Sequence, residues 1–255
     1  MRSQSFIPEL AALIRRSKNT VFFGGAGVST ESGIPDFRSE TGLYKAQQTY
    51  GHPPEELLSH TLFMRNPQLF FQYYRENLIA LDAKPNAAHI ALAELESRRL
   101  LRVIVTQNVD GLHGAAGSKN VLELHGSNWR QHCMGCGERY SLMYVLDGAN
   151  CDGSIPKCEK CGGIVRPDVV LYEENLDESV MAAAVKAMTE AELLIVGGTS
   201  LAVYPAAWLL RYFGGENLVI INKSETPGDN MAQLVINREI GKVLYETIQH
   251  IIYKL

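Results

Sequence analysis

The sequence has few of the features that would place it in a membrane, outside the cell or on nucleic acid. No apolar run approaches the roughly 20 residues that a membrane-spanning helix needs. The N-terminal segment from Met1 to Pro8 has no apolar core of a secretory signal, so we expect a cytoplasmic protein. The formal charge of the 255 residues is −4. This balance gives no electrostatic reason to expect nucleic acid or an anionic membrane as a partner.

The sequence also lacks a disulfide framework. Its five cysteines are an odd number and all fall in one stretch, which in a protein without an export signal favours a metal site. Cys133-x-x-Cys136 and Cys158-x-x-Cys161 are two ligand pairs of the kind that hold tetrahedral zinc. Four thiolates leave no open coordination position, so we predict one structural Zn²⁺ per chain. Cys151 has no C-x-x-C partner, and we predict a partly exposed free thiol there.

Short apolar strands alternate with helical patterns along most of the chain. This alternation predicts an α/β fold, in which a Rossmann-like, doubly wound parallel sheet carries helices on both faces. After a helix containing Ile7, Leu10, Leu13 and Ile14, the predicted strands are Thr20–Gly24, Arg102–Thr106, Val121–Leu124, Glu192–Gly197, Leu218–Asn222 and Gln233–Ile236. The further predicted helices are Ala87–Arg98, Glu178–Ala191, Pro205–Phe213 and Ile240–Tyr253.

Two segments interrupt this alternation. Residues 37–84 contain aromatic side chains typical of a helical insert, and residues 129–166 contain all the cysteines. Both segments leave the sheet and return to it, so we predict that they form one smaller lobe, a helical insert joined to a zinc module. The larger, Rossmann-like lobe then comprises residues 1–36, 85–128 and 167–255, and we expect residues 1–255 to form a single domain.

A glycine-rich turn, Gly24-Gly25-Ala26-Gly27, follows the first strand of the predicted sheet. A dinucleotide pyrophosphate binds at such a turn because main-chain amides can approach it closely. Thr30 stands where the usual fingerprint has a third glycine, and no second strand ending in an acid follows. The turn alone is therefore as compatible with a tight strand-to-helix connection as with a cofactor loop, and it argues against ordinary hydride transfer.

Several motifs in series resemble those of the sirtuin family, the NAD-dependent protein lysine deacylases, and the chain is most similar to the bacterial deacetylase type. The likeness runs from about Val21 to the C-terminal helix in the order that the family has. The motifs are Gly25-Ala26-Gly27-Val28-Ser29, Ser32-Gly33-Ile34-Pro35-Asp36-Phe37-Arg38, Gly42-Leu43-Tyr44, Thr106-Gln107-Asn108-Val109-Asp110-Gly111-Leu112-His113, His125-Gly126 and Gly198-Thr199-Ser200-Leu201 with Val203 and Pro205.

The resemblance implies a reaction that consumes NAD. The acetyl oxygen of an acetyl-lysine attacks C1′ of the nicotinamide ribose, nicotinamide leaves, and the acetyl group ends on ADP-ribose. His125 would be the general base, a role that suits an imidazole whose ordinary pKa is about 6.5. Asn108 and Asp110 complete the implied catalytic set, and nicotinamide, as a product, would inhibit. The other histidines, including His89 and His113, are expected to be structural or at the surface.

The resemblance also implies contacts along NAD, which the enzyme would consume as a co-substrate. Asp110 would hold the nicotinamide carboxamide between the apolar walls of Val109 and Phe37, and Arg38 would meet the phosphates. Ile240 would lie against the adenine. The full implied cofactor set is Gly25, Ala26, Gly27, Thr30, Phe37, Arg38, Gln107, Asn108, Val109, Asp110, His125, Thr199, Ser200, Asn222 and Ile240.

A substrate peptide would add a strand between two extended segments of the chain. The implied contacts are Val169, Val170, Tyr172 and Val203. Here the chain departs from the family pattern, because Tyr172-Glu173-Glu174 stands where aromatic-Gly-Glu is expected. The departure leaves the peptide preference open.

The choice of acyl group is predicted from a missing pair. Family members that remove succinyl or malonyl groups carry Tyr-x-x-Arg, whereas here Tyr73 is followed by Glu76 and Tyr74 by Asn77. Uncharged acyl groups such as acetyl are therefore expected, unless Arg75 turns inward beside Tyr74.

Two other functions fit part of these observations. One is protein mono-ADP-ribosyl transfer, in which a side chain or water captures the ribosyl group. The other is a non-catalytic NAD or nicotinamide sensor, which would be expected to have lost His125 or Asp110. Both residues are present, so deacetylation is the preferred hypothesis.

Overall fold

The computed structural model describes residues 6–35, 46–202 and 204–253. Its main feature is a six-stranded sheet in the order β11-β10-β9-β1-β2-β3, in which all neighbouring strands are parallel. In chain order the strands are β1 (Thr20–Gly24), β2 (Val103–Thr106), β3 (Val121–Glu123), β4 (Gly126–Cys133), β5 (Arg139–Ser141), β6 (Cys151–Asp152), β7 (Ile155–Pro156), β8 (Val165–Val169), β9 (Leu193–Gly197), β10 (Asn217–Ile221) and β11 (Leu234–Ile236).

Helices cover both faces of this sheet. In chain order the described α-helices are α1 (Phe6–Arg16), α2 (Pro54–Leu57), α3 (His60–Arg65), α4 (Pro67–Asn77), α5 (Ala87–Ser97), α6 (Leu112–Ala115), α7 (Leu142–Leu146), α8 (Glu178–Glu190) and α9 (Ile240–Tyr253). Side chains of α1, α5 and α9 form one apolar cluster with the sheet, and side chains of α8 form a second on its other side. The predicted Rossmann-like, doubly wound α/β fold is confirmed.

The central strands consist mainly of apolar residues because each is buried on both faces. Every residue of β1 and β9 is buried, and alternate side chains enter opposite clusters: Phe22 lies in the first and Phe23 in the second. A strand with one solvated face would alternate polar and apolar residues instead. The continuous apolar runs that predicted these strands are thus the direct result of the two helical layers.

A third apolar cluster joins the two segments that interrupt the sheet. Phe63, Phe70 and Tyr74 of the helical insert share it with Cys133 and Val165 of the cysteine-bearing segment. A three-stranded antiparallel sheet, β5-β4-β8, and the hairpin β6-β7 lie in that second segment. The shared cluster is what a single smaller lobe requires, although its boundaries at residues 37–84 and 129–166 stay a prediction.

One predicted helix differs in type. Residues Ala206–Tyr212 form a 3₁₀-helix where the pattern predicts an α-helix over Pro205–Phe213. Its turns close through bonds three residues apart, for example from Trp208 N to the Pro205 carbonyl at 3.0 Å. Seven residues are long for a 3₁₀-helix, and burial of Ala206, Leu209 and Leu210 in the second apolar cluster offsets the poorer hydrogen-bond geometry of this winding.

None of the helices in the described ranges has both the length and the hydrophobicity that a bilayer-spanning segment requires.

Candidate functional site

Three adjoining cavities run along the carboxyl ends of the parallel strands. The first is lined by His125, Asp110, Val170 and Tyr204, among others. The second shares Ala26, Gln107, Asn108 and His125 with the first and extends to the glycine-rich turn. The third shares Gly27, Gly198, Thr199 and Ser200 with the second and ends at Asn222 and Ile240. Together they form one trough at the edge of the sheet where ligands of open α/β folds bind.

The glycine-rich turn brings two loops into direct main-chain contact. Gly27 N donates a hydrogen bond to the Gly198 carbonyl at 2.8 Å, so the loops after β1 and β9 form one surface. A β-carbon on Gly27 would lie 2.8 Å from the Gly198 Cα, which explains why the turn needs glycine there. Gly25 and Ala26 line the second cavity beside it. A phosphate group placed beside these glycines could approach the main chain closely.

The far end of the trough contains the residues expected to meet adenosine. Thr30, Thr199, Ser200, Asn222 and Ile240 all line the third cavity. The Thr30 hydroxyl donates to the Gly27 carbonyl at 3.0 Å, and the Asn222 side chain donates to the Ser224 carbonyl at 2.8 Å, so both side chains are held in place. These predicted residues come from four separate parts of the chain, and the fold brings them together.

His125 lies between β3 and β4, where the first two cavities meet. Its Nδ1 is 2.9 Å from the main-chain carbonyl oxygen of Gln107. A carbonyl oxygen can only accept, so Nδ1 carries the proton of the neutral ring and Nε2 has the basic lone pair. This arrangement fixes both the tautomer and the orientation of the imidazole. The Gln107 side chain in turn donates to Thr199 Oγ1 at 3.2 Å, which ties the same loop to the glycine-rich surface.

Ser29 links the other two residues predicted to be catalytic. Its hydroxyl donates to Asp110 Oδ2 at 2.7 Å and accepts from Asn108 Nδ2 at 3.0 Å. Asp110 Oδ1 accepts from the Leu112 amide at 2.8 Å, so the carboxylate is held from two sides. Asn108, Asp110 and Val109 line the first cavity together with Ser29. The sequence motif included Ser29, but its spacing gave no sign that the hydroxyl joins the two side chains.

Trp129 is a further contact that sequence reasoning missed. The indole Nε1 donates to the Asp110 carbonyl at 2.7 Å, and the ring lies close over Gly111. Trp129 belongs to β4, in the segment that precedes the cysteines, so no local pattern connects it to Asp110. The contact couples that segment to the loop that bears the predicted nicotinamide-binding carboxylate.

His89 and His113 are buried and pack edge to face, with ring centroids 4.8 Å apart. Burial lowers the pKa of His89 to about 4, against a smaller opposing effect of Asp110. Burial and the neighbouring His89 lower the pKa of His113 to about 3. Both rings are therefore neutral at working pH, which agrees with the structural role predicted for them.

The predicted peptide contacts lie beside His125. Val169, Val170 and Tyr172 line the first cavity, and the Val170 amide donates to the His125 carbonyl at 3.0 Å. Tyr172 pairs with Ser59 in a parallel bridge to the helical insert. Val203 lies outside the described residues, but its neighbour Tyr204 lines the same cavity. Phe37 and Arg38, expected at nicotinamide and phosphate, also lie outside the described residues.

Arg75 does not turn toward the trough. Its guanidinium donates to the carbonyls of Ser154 at 2.6 Å and Val145 at 3.1 Å, and it lies over the Phe71 ring. Tyr73 and Tyr74 are buried in the third apolar cluster. None of these side chains lines the first cavity, so the exception considered for Arg75 does not apply.

Four cysteine sulfurs lie together in the cysteine-bearing segment. The sulfurs of Cys133, Cys136, Cys158 and Cys161 are all within 4.8 Å of one another. A tetrahedral zinc with bonds of about 2.3 Å places its sulfurs about 3.8 Å apart, and two of the separations are 3.4 and 3.7 Å. The donor set therefore fits a structural zinc ion. The glycine after each ligand pair, Gly137 or Gly162, has a left-handed φ of 73° or 72°.

Cys151 lies outside this cluster. Its sulfur accepts a contact from the Arg75 guanidinium at 3.4 Å, and its side chain is half-buried. The structure thus separates the four predicted ligands from the fifth thiol, as the spacing of the cysteines predicts.

Comparison with known proteins gives consistent matches over nearly the whole chain. A model of the Sir2 family matches residues 25–205. An NAD-dependent protein deacetylase of Clostridium acetobutylicum is 60% identical over 242 residues, covering 95% of this chain and 97% of that protein. One from Clostridium perfringens is 56% identical over 243 residues, covering 95% and 98%.

Solved structures are similar over the same extent. A Sir2 structure with a p53 peptide and NAD⁺ has a TM-score of 0.85 at 36% identity, covering 96% of this chain and 98% of that one. A Sir2 structure bound to an acetylated peptide has a TM-score of 0.85 at 34% identity, with the same coverage.

Proposed function

The chain belongs to the Sir2 family, and we propose that it removes acetyl groups from protein lysine side chains while consuming NAD. The acetyl group is transferred to ADP-ribose, nicotinamide is released, and water completes the liberation of the lysine. Acetyl-lysine proteins or peptides are the substrates. Zinc has a structural part, because four thiolates leave it no position for a substrate.

The observation that carries this proposal is the setting of His125. The ring is held by the Gln107 carbonyl in the tautomer that leaves Nε2 basic, at the point where the two cavities meet. A ribose hydroxyl and an acetyl-lysine arriving from opposite ends of the trough would meet there. Such a base contributes about 10²–10⁴-fold to rate when it lies within hydrogen-bond reach of the proton that it takes.

Asn108 and Asp110 orient the reactants in this proposal. Their side chains share the Ser29 hydroxyl, so both keep a fixed position before NAD binds. Asp110 would accept hydrogen bonds from the nicotinamide carboxamide, and Asn108 would orient the ribose. The main-chain surface formed by Gly25, Gly27 and Gly198 would receive the phosphates, and the third cavity the adenosine.

The site of action that we propose is the cytoplasm. Thiolate zinc ligands persist in a reducing compartment, where cysteines are kept from forming disulfides.

The decisive experiment follows all products of a reaction between an acetyl-peptide and NAD by mass spectrometry. We expect equal amounts of nicotinamide, deacetylated peptide and O-acetyl-ADP-ribose. His125→Ala should lower turnover at least a hundredfold while NAD binding, measured by calorimetry, changes little. ADP-ribose attached to a protein without O-acetyl-ADP-ribose would instead identify a mono-ADP-ribosyltransferase. NAD binding without turnover would identify a sensor.

Acetyl should be preferred strongly over succinyl. A succinyl carboxylate must leave water, and burying it unpaired costs several kcal/mol. Each 1.4 kcal/mol or so is a tenfold loss in rate. Arg75 is held by Ser154 and Val145 and does not offset this cost. The ratio of kcat/KM on matched acetyl and succinyl peptides checks the preference, and equal values would show that another cation reaches the acyl group.

A further inference from the structure

Glu173 has a backbone conformation that side chains other than glycine rarely adopt. Its φ is +77°, in the left-handed region. A β-carbon there is unfavourable relative to glycine, so a glutamate at this position needs a compensating interaction. The sequence departs from the family pattern at this same residue. Local backbone preference therefore does not explain why a charged side chain occupies the position.

The compensating interaction is a fixed carboxylate. Oε2 of Glu173 accepts from the Thr61 amide at 2.9 Å and from the Thr61 hydroxyl at 2.7 Å. These two bonds hold the pKa of Glu173 below its ordinary value, so the group is ionised at neutral pH. Both donors use the same oxygen. Oε1 has no hydrogen bond or ion pair among the described residues, and a carboxylate oxygen can accept more than one.

Glu174 provides an internal contrast to Glu173. The Arg166 guanidinium donates to both oxygens of Glu174, at 2.6 and 2.9 Å, so that charge is neutralised within the protein. Thr61, by contrast, is neutral and leaves the charge of Glu173 in place. The charges of His60 and Arg65 also lower the pKa of Glu173, but in the described structure neither residue is close enough to form an ion pair with it. Of these two consecutive carboxylates, Glu174 is ion-paired and, within the described ranges, Glu173 is not.

The position of Glu173 brings this charge to the place where a peptide would bind. Glu173 lines the cavity that contains His125, and its neighbour Tyr172 and the more distant Tyr204 line the same cavity. Its side chain is exposed, and its main-chain amide and carbonyl have no partner among the residues described. A peptide that adds a strand along this edge would form hydrogen bonds with the main chain of the protein. Its side chains would then pass close to the carboxylate of Glu173.

We propose that Glu173 selects substrates that carry lysine or arginine beside the acetyl-lysine, an inference that rests on the proposed deacetylase function. The acetylated lysine itself is neutral, so a flanking cation supplies the positive charge that Oε1 can meet. Thr61 fixes the carboxylate before the peptide arrives, which reduces the side-chain entropy lost on binding. An acidic flanking residue is disfavoured by the same charge.

The test compares kcat/KM on acetyl-peptides that differ only in one flanking residue, arginine, glutamine or glutamate, placed in turn on either side. For the wild type at low salt, arginine should exceed glutamine about two- to fivefold, the scale of an exposed ion pair. Glutamate should fall below glutamine by a similar factor. Both ratios should approach one at high salt, because mobile ions screen exposed charges.

Three variants separate the charge from its surroundings. Glu173→Gln keeps the shape and should bring the arginine-to-glutamate ratio close to one. Glu173→Gly should do the same without backbone strain, which covers the case in which the first variant folds poorly. Glu246→Gln removes one negative charge from an exposed position of α9, outside the three cavities, and should leave the ratio unchanged.

Two failures are distinguishable. If the wild type forms O-acetyl-ADP-ribose but shows no preference, or if Glu173→Gln keeps the preference, the inference about Glu173 is wrong while the function stands. If the wild type forms no O-acetyl-ADP-ribose from any of the peptides, the proposed function itself is wrong.

Discussion

The sheet and the cysteine-bearing segment are built by different means. The sheet has strands of up to five residues, of which β1, β2 and β9 are buried throughout, and two apolar clusters hold it from both sides. The cysteine-bearing segment has strands of two or three residues at β5, β6 and β7, and two of its four ligand cysteines are exposed. Hydrophobic burial stabilises the first region. The second region combines the third apolar cluster with four sulfurs placed to bind a metal ion, and we expect that ion to fix its loops.

The two regions meet at the proposed catalytic base. His125 lies two residues after the end of β3, the edge strand of the parallel sheet, and directly precedes β4, the central strand of the antiparallel sheet. Trp129 of β4 also holds the Asp110 carbonyl. We therefore expect an ion bound by Cys133, the last residue of β4, to affect catalysis, because it would fix the strand that begins directly after His125.

Loss of zinc should have the largest effect and would test the comparison directly. Structural zinc contributes about 10–16 kcal/mol in small zinc domains at neutral pH. We expect Cys133→Ala, or a strong chelator, to remove the ion, open residues 126–171 and abolish deacetylation. Hydrogen exchange should show early loss of protection there, while Leu193–Gly197 stays protected. Simultaneous loss of protection in both regions would show that they form one cooperative unit.

A cavity in the sheet should be the next largest effect. Phe22 of β1 is fully buried in the first apolar cluster, close to Gly197 of β9, and truncation of a buried phenylalanine costs about 3–5 kcal/mol. Phe22→Ala should lower the midpoint of urea unfolding accordingly and keep one zinc per chain. Met231→Ala is a suitable control, because that side chain is 62% exposed and its loss should cost less than about 0.5 kcal/mol. Loss of zinc from Phe22→Ala would contradict the separation of the two regions.

Loss of the ion pair between Glu174 and Arg166 should have an intermediate effect on stability. This pair sharpens the contrast because Arg166 brings an electrostatic interaction into the second region. Burial raises the pKa of Glu174, but hydrogen bonds from Arg166, the Leu171 amide and His60 outweigh this and hold it at about 2. The folded-state pKa lies below the unfolded value, so the stabilisation is present above about pH 4.5 and is lost as the pH falls toward 2. We expect the ionised Glu174 to contribute roughly 2–4 kcal/mol to the free energy of unfolding.

Glu174→Gln checks this contribution. The unfolding free energy of the variant should be lower than that of the wild type at pH 7, and the difference should shrink as the pH falls below 4. Urea unfolding of both proteins at several pH values measures it. A difference that is constant with pH would show that the lost stabilisation does not depend on the charge of Glu174.

Replacement of Cys151 should have the smallest effect. Its sulfur contacts Arg75 and lies outside the four-sulfur cluster. Cys151→Ala should keep one zinc per chain and full deacetylase activity, with a loss of stability below about 1 kcal/mol. It is the matched control for Cys133→Ala, since both variants remove one thiol from the same segment. A zinc content below one per chain would assign Cys151 to the metal site.

The sequence predicted the elements whose signals are local. The apolar runs gave all six strands of the parallel sheet to within a residue or so, and the two C-x-x-C pairs gave the four sulfurs that cluster. These patterns can be recognised in the sequence because a strand buried on both faces must consist almost entirely of apolar residues. A metal-binding loop must likewise place its two sulfurs on the same ion, which fixes their spacing. The 3₁₀ winding of Ala206–Tyr212 was not predictable, because packing against the sheet decides it.

Contacts across the fold were decided by tertiary structure alone. Ser29 joins Asn108 to Asp110, Trp129 supports the Asp110 carbonyl, and Thr61 fixes Glu173 from 112 residues away. Each bond depends on where two distant main-chain segments are placed by the packing of the sheet and the smaller lobe. The sequence by itself determined which residues have the chemistry, since identity and short spacing set proton affinity and metal preference. Which of them act together was determined only when the folded chain set the distances between them.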